Sequence, residues 1–289
     1  MSFNEKYNAI YNYVKQDVEQ VKEEVVFKIC GNKEFSQKFL EMFNAPSKHI
    51  RSVVSFLYLR ATGIVIEKPQ IKYQAVIELI HNGSLIHDDI IDNSDLRRGK
   101  TTFNKQFGTH MGVVAGDLIL SYALKLIGEI NNPKITNIIS DTITDMCNGE
   151  IKQHFQQYEI PTLEEYIEKT YLKTGSLFKA AIEGGIEISQ KSEYYVDAKN
   201  FAKLFGIAFQ IRDDIKNITD NRKDSDIKNG IYTAPVIYSQ NPDNPIAGIE
   251  KAKDLLSNYI EEAKKFLKNL PENEYKTALT ELLGILKNE

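Results

Sequence analysis

Residues 70–102 read QIKYQAVIELIHNGSLIHDDIIDNSDLRRGKTT, and the first two thirds of this stretch have the pattern of a buried helix. Apolar residues recur at three- and four-residue spacing, as at Val76 and Ile80, which is the period of one helix face. No proline interrupts the chain between residues 70 and 132. The stretch therefore predicts an α-helix over about 70–92.

The same helical period extends over the rest of the chain. No period-two alternation of strand length is present, and the polar segment 220–233 is the one long loop, of a kind that often forms a functional lid. Helices are predicted over about 4–29, 34–43, 48–64, 70–92, 111–130, 133–157, 162–189, 193–219, 234–240, 247–269 and 272–287. The predicted fold class is all-α, one large helical bundle with no internal linker.

Composition excludes several classes of protein. The chain has 289 residues with 36 Lys and Arg against 40 Asp and Glu, so no basic excess favours a nucleic-acid partner. Two cysteines, Cys30 and Cys147, cannot build a disulfide framework. No signal-peptide core is visible, and the most apolar window, 111–127, contains Asp117 and Lys125. We therefore expect a soluble cytoplasmic protein with no transmembrane segment.

Three aspartates interrupt the apolar pattern at Asp88, Asp89 and Asp92. Asp88 and Asp92 share one helix face, and His81 lies on the same stripe. A solvated acidic helix end is one interpretation. The other is a metal site, because like charges at this spacing destabilise a helix while paired carboxylates hold divalent cations such as Mg²⁺.

Two further features favour the metal site. Arg97 and Arg98 follow directly, and guanidinium groups beside carboxylates suit a diphosphate held from two sides. A second polar cluster lies on one arc of a later predicted helix. Its members are Gln210, Asp213, Asp214 and Asn217. Two such helices predict a metal-lined mouth in a bundle.

Two further patterns are weaker, because each is also typical of a segment that binds no ligand. Lys48 and Arg51 place two cations on one helix face, which is also typical of a solvated surface. Lys173, Thr174 and Gly175 interrupt a helical stretch, and such a step marks either a local kink or a ligand-facing carbonyl and hydroxyl.

With these residues the chain resembles the trans-isoprenyl diphosphate synthases of the polyprenyl synthetase family, most clearly over about 45–240. The first aspartate-rich motif and its arginines match residues 85–102. The basic motif, two glycines followed by Lys, Arg, an apolar residue, Arg and Pro, is matched in part by 46–52: Lys48 and Arg51 are present and the glycines are not. His81 matches the residue seven positions before the first aspartate.

The remaining motifs are also recognisable. The Lys-Thr-Gly motif is matched by 173–175, and the second aspartate-rich motif by 209–217, with Asn217 in place of its last Asp. A later Gly-x-Asp pattern is echoed by 225–235, in which Asp226 and Gly230 match.

The resemblance implies one polyprenyl synthetase domain over 1–289, an antiparallel helical bundle around a central cavity, and a homodimer. The implied reaction is head-to-tail condensation of isopentenyl diphosphate with an allylic diphosphate, with up to three Mg²⁺ ions, or Mn²⁺, as cofactor.

The resemblance also implies a role for each motif residue. The metal ligands would be Asp88, Asp92, Asp213 and Asn217, supported by Asp89 and Asp214. The allylic diphosphate would contact Arg97 and Lys173, and its cation would face the oxygens of Thr174 and Gln210. Isopentenyl diphosphate would be held by Lys48, Arg51, His81 and Arg98.

Gly83 and Ser84 bear on product length. In the family, aromatic residues at these positions floor the cavity, and here both side chains are small. We therefore expect a product of thirty carbons or more, of the kind used in quinone side chains. A floor deeper in the cavity would instead give a farnesyl or geranylgeranyl diphosphate synthase.

Three alternatives remain open. Asn217 and the missing glycines suit a low-activity subunit of a heteromeric synthase. A terpene cyclase would use the same bundle, but with a different second metal motif. His87 beside Asp88 suits an HD-type phosphohydrolase, for which His49 is the candidate second histidine.

Overall fold

The described residues, 3–29, 32–219 and 224–287 of a computed structural model, form fifteen α-helices. The first eight are α1 (Phe3–Asn12), α2 (Lys15–Lys28), α3 (Lys33–Phe43), α4 (Ile50–Ala61), α5 (Lys68–Ile91), α6 (Phe103–Phe107), α7 (Thr109–Ile130) and α8 (Pro133–Phe155). The others are α9 (Leu163–Thr170), α10 (Ser176–Ile188), α11 (Tyr195–Thr219), α12 (Asp224–Lys228), α13 (Ala234–Ser239), α14 (Ile249–Lys265) and α15 (Glu274–Lys287). The predicted all-α class is confirmed.

Helix α5 lies at the centre of the bundle. It begins at a capping box formed by Glu67 and Gln70, with Pro69 in its first turn, and it ends at Ile91, with Asp92 as its C-cap. It packs against α2, α7 and α10, while α10 also packs against α4, α8 and α11. Because α5 is covered on several sides, most of its residues are buried. Its last turn carries the aspartates towards the mouth of the bundle.

The predicted helix over 4–29 is wrong in one respect, because a turn at Tyr13 and Val14 divides it into α1 and α2. A small hairpin, β1 (Leu96–Arg97) paired with β2 (Lys100–Thr101), was not expected. Two-residue strands are too short to show alternation. The hairpin turns at Arg98 and Gly99, which both have positive φ.

The predicted loop 220–233 contains α12. Residues 220–223 of this segment, like Cys30, lie outside the described residues, so the expected lid stays a prediction.

Helix α7 is the one described helix long and apolar enough to cross a membrane by length and composition. Its inner face packs against α5, and 44% of its most apolar window is buried.

Two close backbone approaches shape the mouth of the bundle. A Cβ on Gly206 of α11 would lie 2.6 Å from the Cα of Gly175, and a Cβ on Gly149 of α8 would lie 2.6 Å from the backbone nitrogen of Lys173. Any larger residue at either glycine would push the two backbones apart. These close approaches bring α8 and α11 against a single π-helical turn, Tyr171–Gly175, where the sequence indicated either a kink or a ligand-facing step.

Candidate active site

A cavity of about 930 Å³ opens at the end of the bundle where α5 ends. Twelve of the residues proposed from the sequence line it: Lys48, Arg51, His81, Ser84, Asp88, Asp92, Arg97, Arg98, Lys173, Thr174, Gln210 and Asp213. Four others are not among its lining residues: Gly83, Asp89, Asp214 and Asn217. The structure therefore brings both aspartate-rich motifs and both sets of cations to one cavity.

The carboxylates of Asp88 and Asp92 face this cavity from the last turn of α5. Neither carboxylate makes a hydrogen bond or salt bridge with any residue that the structure describes. Burial raises the pKa of Asp88 to about 6, against the lowering effect of Lys173 and with a further rise from Glu150. Burial likewise raises the pKa of Asp92 and of Asp213. Asp213 pairs with Arg212 at 2.9 Å, whereas Asp88 and Asp92 have no such partner, as expected of groups that bind a cation supplied from outside.

The second aspartate of each motif is held by protein partners. Asp89 accepts hydrogen bonds from Arg97, with Nη2 and Nε at 2.6 and 2.8 Å from Oδ1. Asp214 accepts one from Tyr166 at 2.6 Å and one from Gln210 at 2.8 Å. Both aspartates are buried, so they orient their neighbours from behind the cavity wall.

The π-helical turn presents Lys173 and Thr174 to the cavity. The hydroxyl of Thr174 donates to Oε1 of Gln210 at 2.9 Å, while Nζ of Lys173 contacts the Glu150 carboxylate. Because Asp214 binds the Gln210 amide nitrogen, the amide oxygen of Gln210 stays directed towards Thr174.

A second group of polar residues lies where α4 meets α5. Nη1 of Arg51 lies 3.2 Å from Nε2 of His81, and its guanidinium stacks on the Phe178 ring at 4.8 Å. Burial and the nearby charges of Arg51 and Arg98 keep the pKa of His81 well below its usual value. His81 is therefore neutral near pH 7 and accepts the hydrogen bond of Arg51.

Asn217 is placed differently from the expectation. Its amide lies towards α12, with Nδ2 3.4 Å from Oδ2 of Asp226, instead of lining the cavity beside Asp213. A neutral side chain can satisfy this carboxylate with an N–H, and a contact with α12 could not be derived from helix periodicity alone.

Gly83 also departs from the expectation that it points into the cavity. A Cβ at this position would lie 3.2 Å from Leu120 of α7 and 3.4 Å from the carbonyl oxygen of Gly116. Gly83 therefore permits close packing of α5 and α7, whereas Ser84 lines the cavity.

Two acidic residues at the cavity were missed by the motifs. Glu150 of α8 and Glu78 of α5 both line it. Glu78 could have been noticed as a carboxylate inside an apolar run, three residues before His81. No sequence signal linked Glu150 to either motif, because only the packing of Gly149 against the π-helical turn places it there.

The donor set fits Mg²⁺ bound together with a diphosphate. No three His, Cys, Asp or Glu side chains converge on one point within the part of the chain that the structure describes. Mg²⁺ is often held by one or two carboxylates together with substrate phosphates, and Asp88, Asp92 and Asp213 offer such oxygens from two helices.

The histidines of the phosphohydrolase alternative belong to separate pairs. His87 lies 3.4 Å from Asp117 of α7, whereas His49 lies 3.1 Å from Glu78. The paired-histidine metal site that this alternative requires is therefore not formed by the described residues.

The chain is similar to known prenyl synthases along most of its length. It is 30% identical to a prenyl transferase of Cyanophora paradoxa over 82% of this chain and 84% of that protein. It is 30% identical to solanesyl diphosphate synthase 1, chloroplastic, of Arabidopsis thaliana, over 84% of this chain and 69% of that protein. It is 28% identical to heptaprenyl diphosphate synthase component 2 of Geobacillus stearothermophilus, over 96% of this chain and 97% of that protein.

Solved structures share the fold. A decaprenyl diphosphate synthase from Rhodobacter capsulatus superposes with a TM-score of 0.91 at 20% identity, covering 98% of each chain. A polyprenyl synthase from Caulobacter crescentus, complexed with calcium and isoprenyl diphosphate, gives a TM-score of 0.90 at 22% identity, again over 98% of each chain. The family model for polyprenyl synthetase matches residues 32–270. The chain therefore belongs to the polyprenyl synthetase family.

Proposed function

We propose that this protein condenses isopentenyl diphosphate head-to-tail onto an allylic diphosphate and makes a linear all-trans polyprenyl diphosphate. The observation that carries the proposal is one cavity lined both by carboxylates and by cations. Carboxylates of α5 and α11 line it together with cations from the segment that begins α4 and from the β-hairpin. Two diphosphates can then bind with their reacting carbons facing each other.

The allylic diphosphate belongs at the carboxylate side. Asp88, Asp92 and Asp213 would hold Mg²⁺, and bound Mg²⁺ supplies positive charge that stabilises the departing diphosphate. Lys173 and Arg97 add charge from protein side chains. The donor set allows Mn²⁺ as well, and calcium is bound in the Caulobacter crescentus protein. The number of ions, up to three, is part of the proposal.

The allylic cation that forms when the C–O bond breaks lies beside the π-helical turn. The side-chain oxygens of Thr174 and Gln210, which are hydrogen-bonded to each other at the cavity wall, would stabilise positive charge there. Isopentenyl diphosphate, held by Lys48, Arg51, His81 and Arg98, presents its double bond to the cation. The departing diphosphate is the proposed base for the final proton.

The cavity wall favours a long product. Below the carboxylates it is formed by Ser84 and by aliphatic side chains such as Ile80, Leu120 and Ile143. Phe209 is the one phenylalanine or tyrosine among the described residues that line the cavity, and it lies beside Gln210 near the mouth. The solanesyl, heptaprenyl and decaprenyl names of the similar proteins agree with a chain of thirty carbons or more, suited to a quinone side chain.

A homodimer is the proposed assembly. Helices α7 and α8 expose apolar side chains on the surface of the bundle, among them Met111, Val113, Val114, Leu124, Ile151 and Phe155. Leu124 is 62% and Phe155 80% exposed, and a second copy would cover such a patch. Light scattering of the purified chain should give twice the chain mass of 33.0 kDa, and Leu124→Glu should shift it towards the monomer.

A subunit of a heteromeric synthase is the second candidate, favoured by the "component 2" relative. The purified chain, incubated with Mg²⁺, isopentenyl diphosphate and allylic primers of five to twenty carbons, separates the two. Products of thirty carbons or more support the main proposal, whereas products of fifteen or twenty carbons contradict its length. No product with any primer favours the subunit. A cytoplasmic location stays a prediction, because the Arabidopsis relative is named chloroplastic.

A further inference from the structure

The turn that precedes α4 is strained. His49 has φ 46°, in the left-handed region, which non-glycine residues adopt only where the surrounding structure holds them. Its neighbours Lys48 and Arg51 both line the cavity. The strained turn therefore sets the directions in which these two cations point.

Glu78 of α5 is the group that binds this turn from below. Its side chain is buried, with 3% of the residue exposed. Oε1 accepts a hydrogen bond from the Ser52 hydroxyl at 2.7 Å, and Oε2 lies 3.1 Å from Nδ1 of His49. The two bonds reach residues on either side of Arg51, so Glu78 fixes both ends of the segment that carries this cation.

Glu78 also supplies negative charge among several cations. Burial opposes its ionisation, but the hydrogen bonds from His49 and Ser52 and the nearness of both imidazoles lower the pKa of Glu78 to about 2. It is therefore ionised at neutral pH. Its charge favours the protonated forms of the buried Arg51 and of Arg98, and it offsets the repulsion between these cations before substrate binds.

His49 itself occupies the position of the first Arg in the basic motif. A guanidinium keeps its charge at all accessible pH values, whereas imidazole pairs with Glu78 most strongly when it is protonated. In this chain the turn is therefore held by an imidazole–carboxylate pair, His49 and Glu78, in place of a guanidinium group.

We infer that Glu78 is a positioning residue for isopentenyl diphosphate: by binding His49 and Ser52 it holds the turn that aims Lys48 and Arg51 at the diphosphate of this substrate. The inference rests on the proposed function. Glu78 lines the cavity, but its two carboxylate oxygens bind His49 and Ser52, so it acts through the turn and not on the reacting atoms.

The test compares Glu78→Ala and Glu78→Gln with a matched control, Glu183→Gln. Glu183 of α10 is an equally buried carboxylate at 3% exposure, and it pairs with Lys179, Lys199 and Tyr195 away from the cavity. KM is measured separately for isopentenyl diphosphate and for the allylic primer, together with kcat and the thermal midpoint.

Glu78→Ala should raise KM for isopentenyl diphosphate at least about tenfold, because a displaced turn misdirects two cations, and leave KM for the primer within about twofold. Glu78→Gln should show a smaller rise in the same constant, because its amide oxygen still accepts from Ser52. Glu183→Gln should change neither KM.

Equal increases in both KM values, or an unchanged KM for isopentenyl diphosphate in Glu78→Ala, would overturn the inference. If Glu78→Ala does not fold, Glu78→Gln and Ser52→Ala decide in its place, and both must raise KM for isopentenyl diphosphate selectively. Failure of the proposed function looks different, because the unaltered chain would then make no product from any primer.

Discussion

Glu78 and Asp88 lie ten residues apart on the same helix, α5, yet the pKa values of their carboxyl groups are shifted in opposite directions. Burial raises the pKa of Asp88 to about 6. Burial also opposes ionisation of Glu78, but His49, His81 and Ser52 lower its pKa to about 2. The difference shows that burial alone does not set the charge. The partners of Glu78 are built into the protein, whereas the described residues give the carboxylate of Asp88 no hydrogen-bond or salt-bridge partner.

The largest expected effect comes from removing the carboxylate that lacks a protein partner. Asp88→Ala should lower kcat by about a thousandfold. Without this carboxylate the site would hold Mg²⁺ more weakly, and the departing diphosphate would lose the positive charge that stabilises it. Steady-state product formation with Mg²⁺ measures this, and circular dichroism should show unchanged helix content. Asp95→Ala is the matched control, because Asp95 is exposed and pairs with Lys105 outside the cavity. Normal turnover of Asp88→Ala would remove this residue from the metal site.

The part of the cavity wall that α5 forms between Glu78 and Asp88 should control product length. Ser84 lies about 6 Å along the helix axis below Asp88 and lines the cavity. Ser84→Phe should therefore shorten the product to twenty carbons or fewer while leaving the first condensation intact, as read by chromatography of dephosphorylated products. An unchanged product distribution would place the growing chain elsewhere.

Gly83 provides the comparison for that experiment. A side chain there must displace Leu120, so Gly83→Phe should destabilise the fold as well as alter the product. A lowered thermal midpoint in Gly83→Phe, absent from Ser84→Phe, separates packing from the tail cavity.

Neutralising the two carboxylates should change stability with opposite signs. In metal-free protein at pH 7, Asp88→Asn should raise the thermal midpoint by about 2 °C, because it removes a buried charge that has no partner. Glu78→Gln should lower it by about 4 °C, because it leaves His49 without its carboxylate. Differential scanning calorimetry measures both, and shifts of the same sign would contradict the comparison.

The smallest effect expected is the pH dependence of these differences. A carboxyl group with a raised pKa destabilises the folded form when it is ionised. The free energy of unfolding of the unaltered chain should therefore be lower than that of Asp88→Asn at pH 7, and the difference should disappear as pH falls from about 6 towards 3.8. A lowered pKa acts the other way. The free energy of unfolding of the unaltered chain should exceed that of Glu78→Gln by its full amount above pH 4.5, and the difference should decline as pH falls towards 2. Urea unfolding at a series of pH values measures both trends.

Much of the candidate site could be predicted from the sequence because its residues lie on helices with a regular period. The spacing of Asp88 and Asp92 placed both on one face, and the structure finds both at the cavity. Where the surroundings come from another element, periodicity does not fix what a residue faces. Gly83 faces Leu120 of α7, and Asn217 lies towards Asp226 of α12.

The order of the helices, the two aspartate-rich motifs and the membership of the family follow from the sequence, because they depend on residues close together in the chain and on their spacing. The opposite shifts of Glu78 and Asp88 do not. They arise because the fold places His49 and Ser52 of the α4 segment against one carboxylate and leaves the other facing the cavity. Electrostatic surroundings depend on distance in space, and the packing of α4, α7 and α10 against α5 sets that distance.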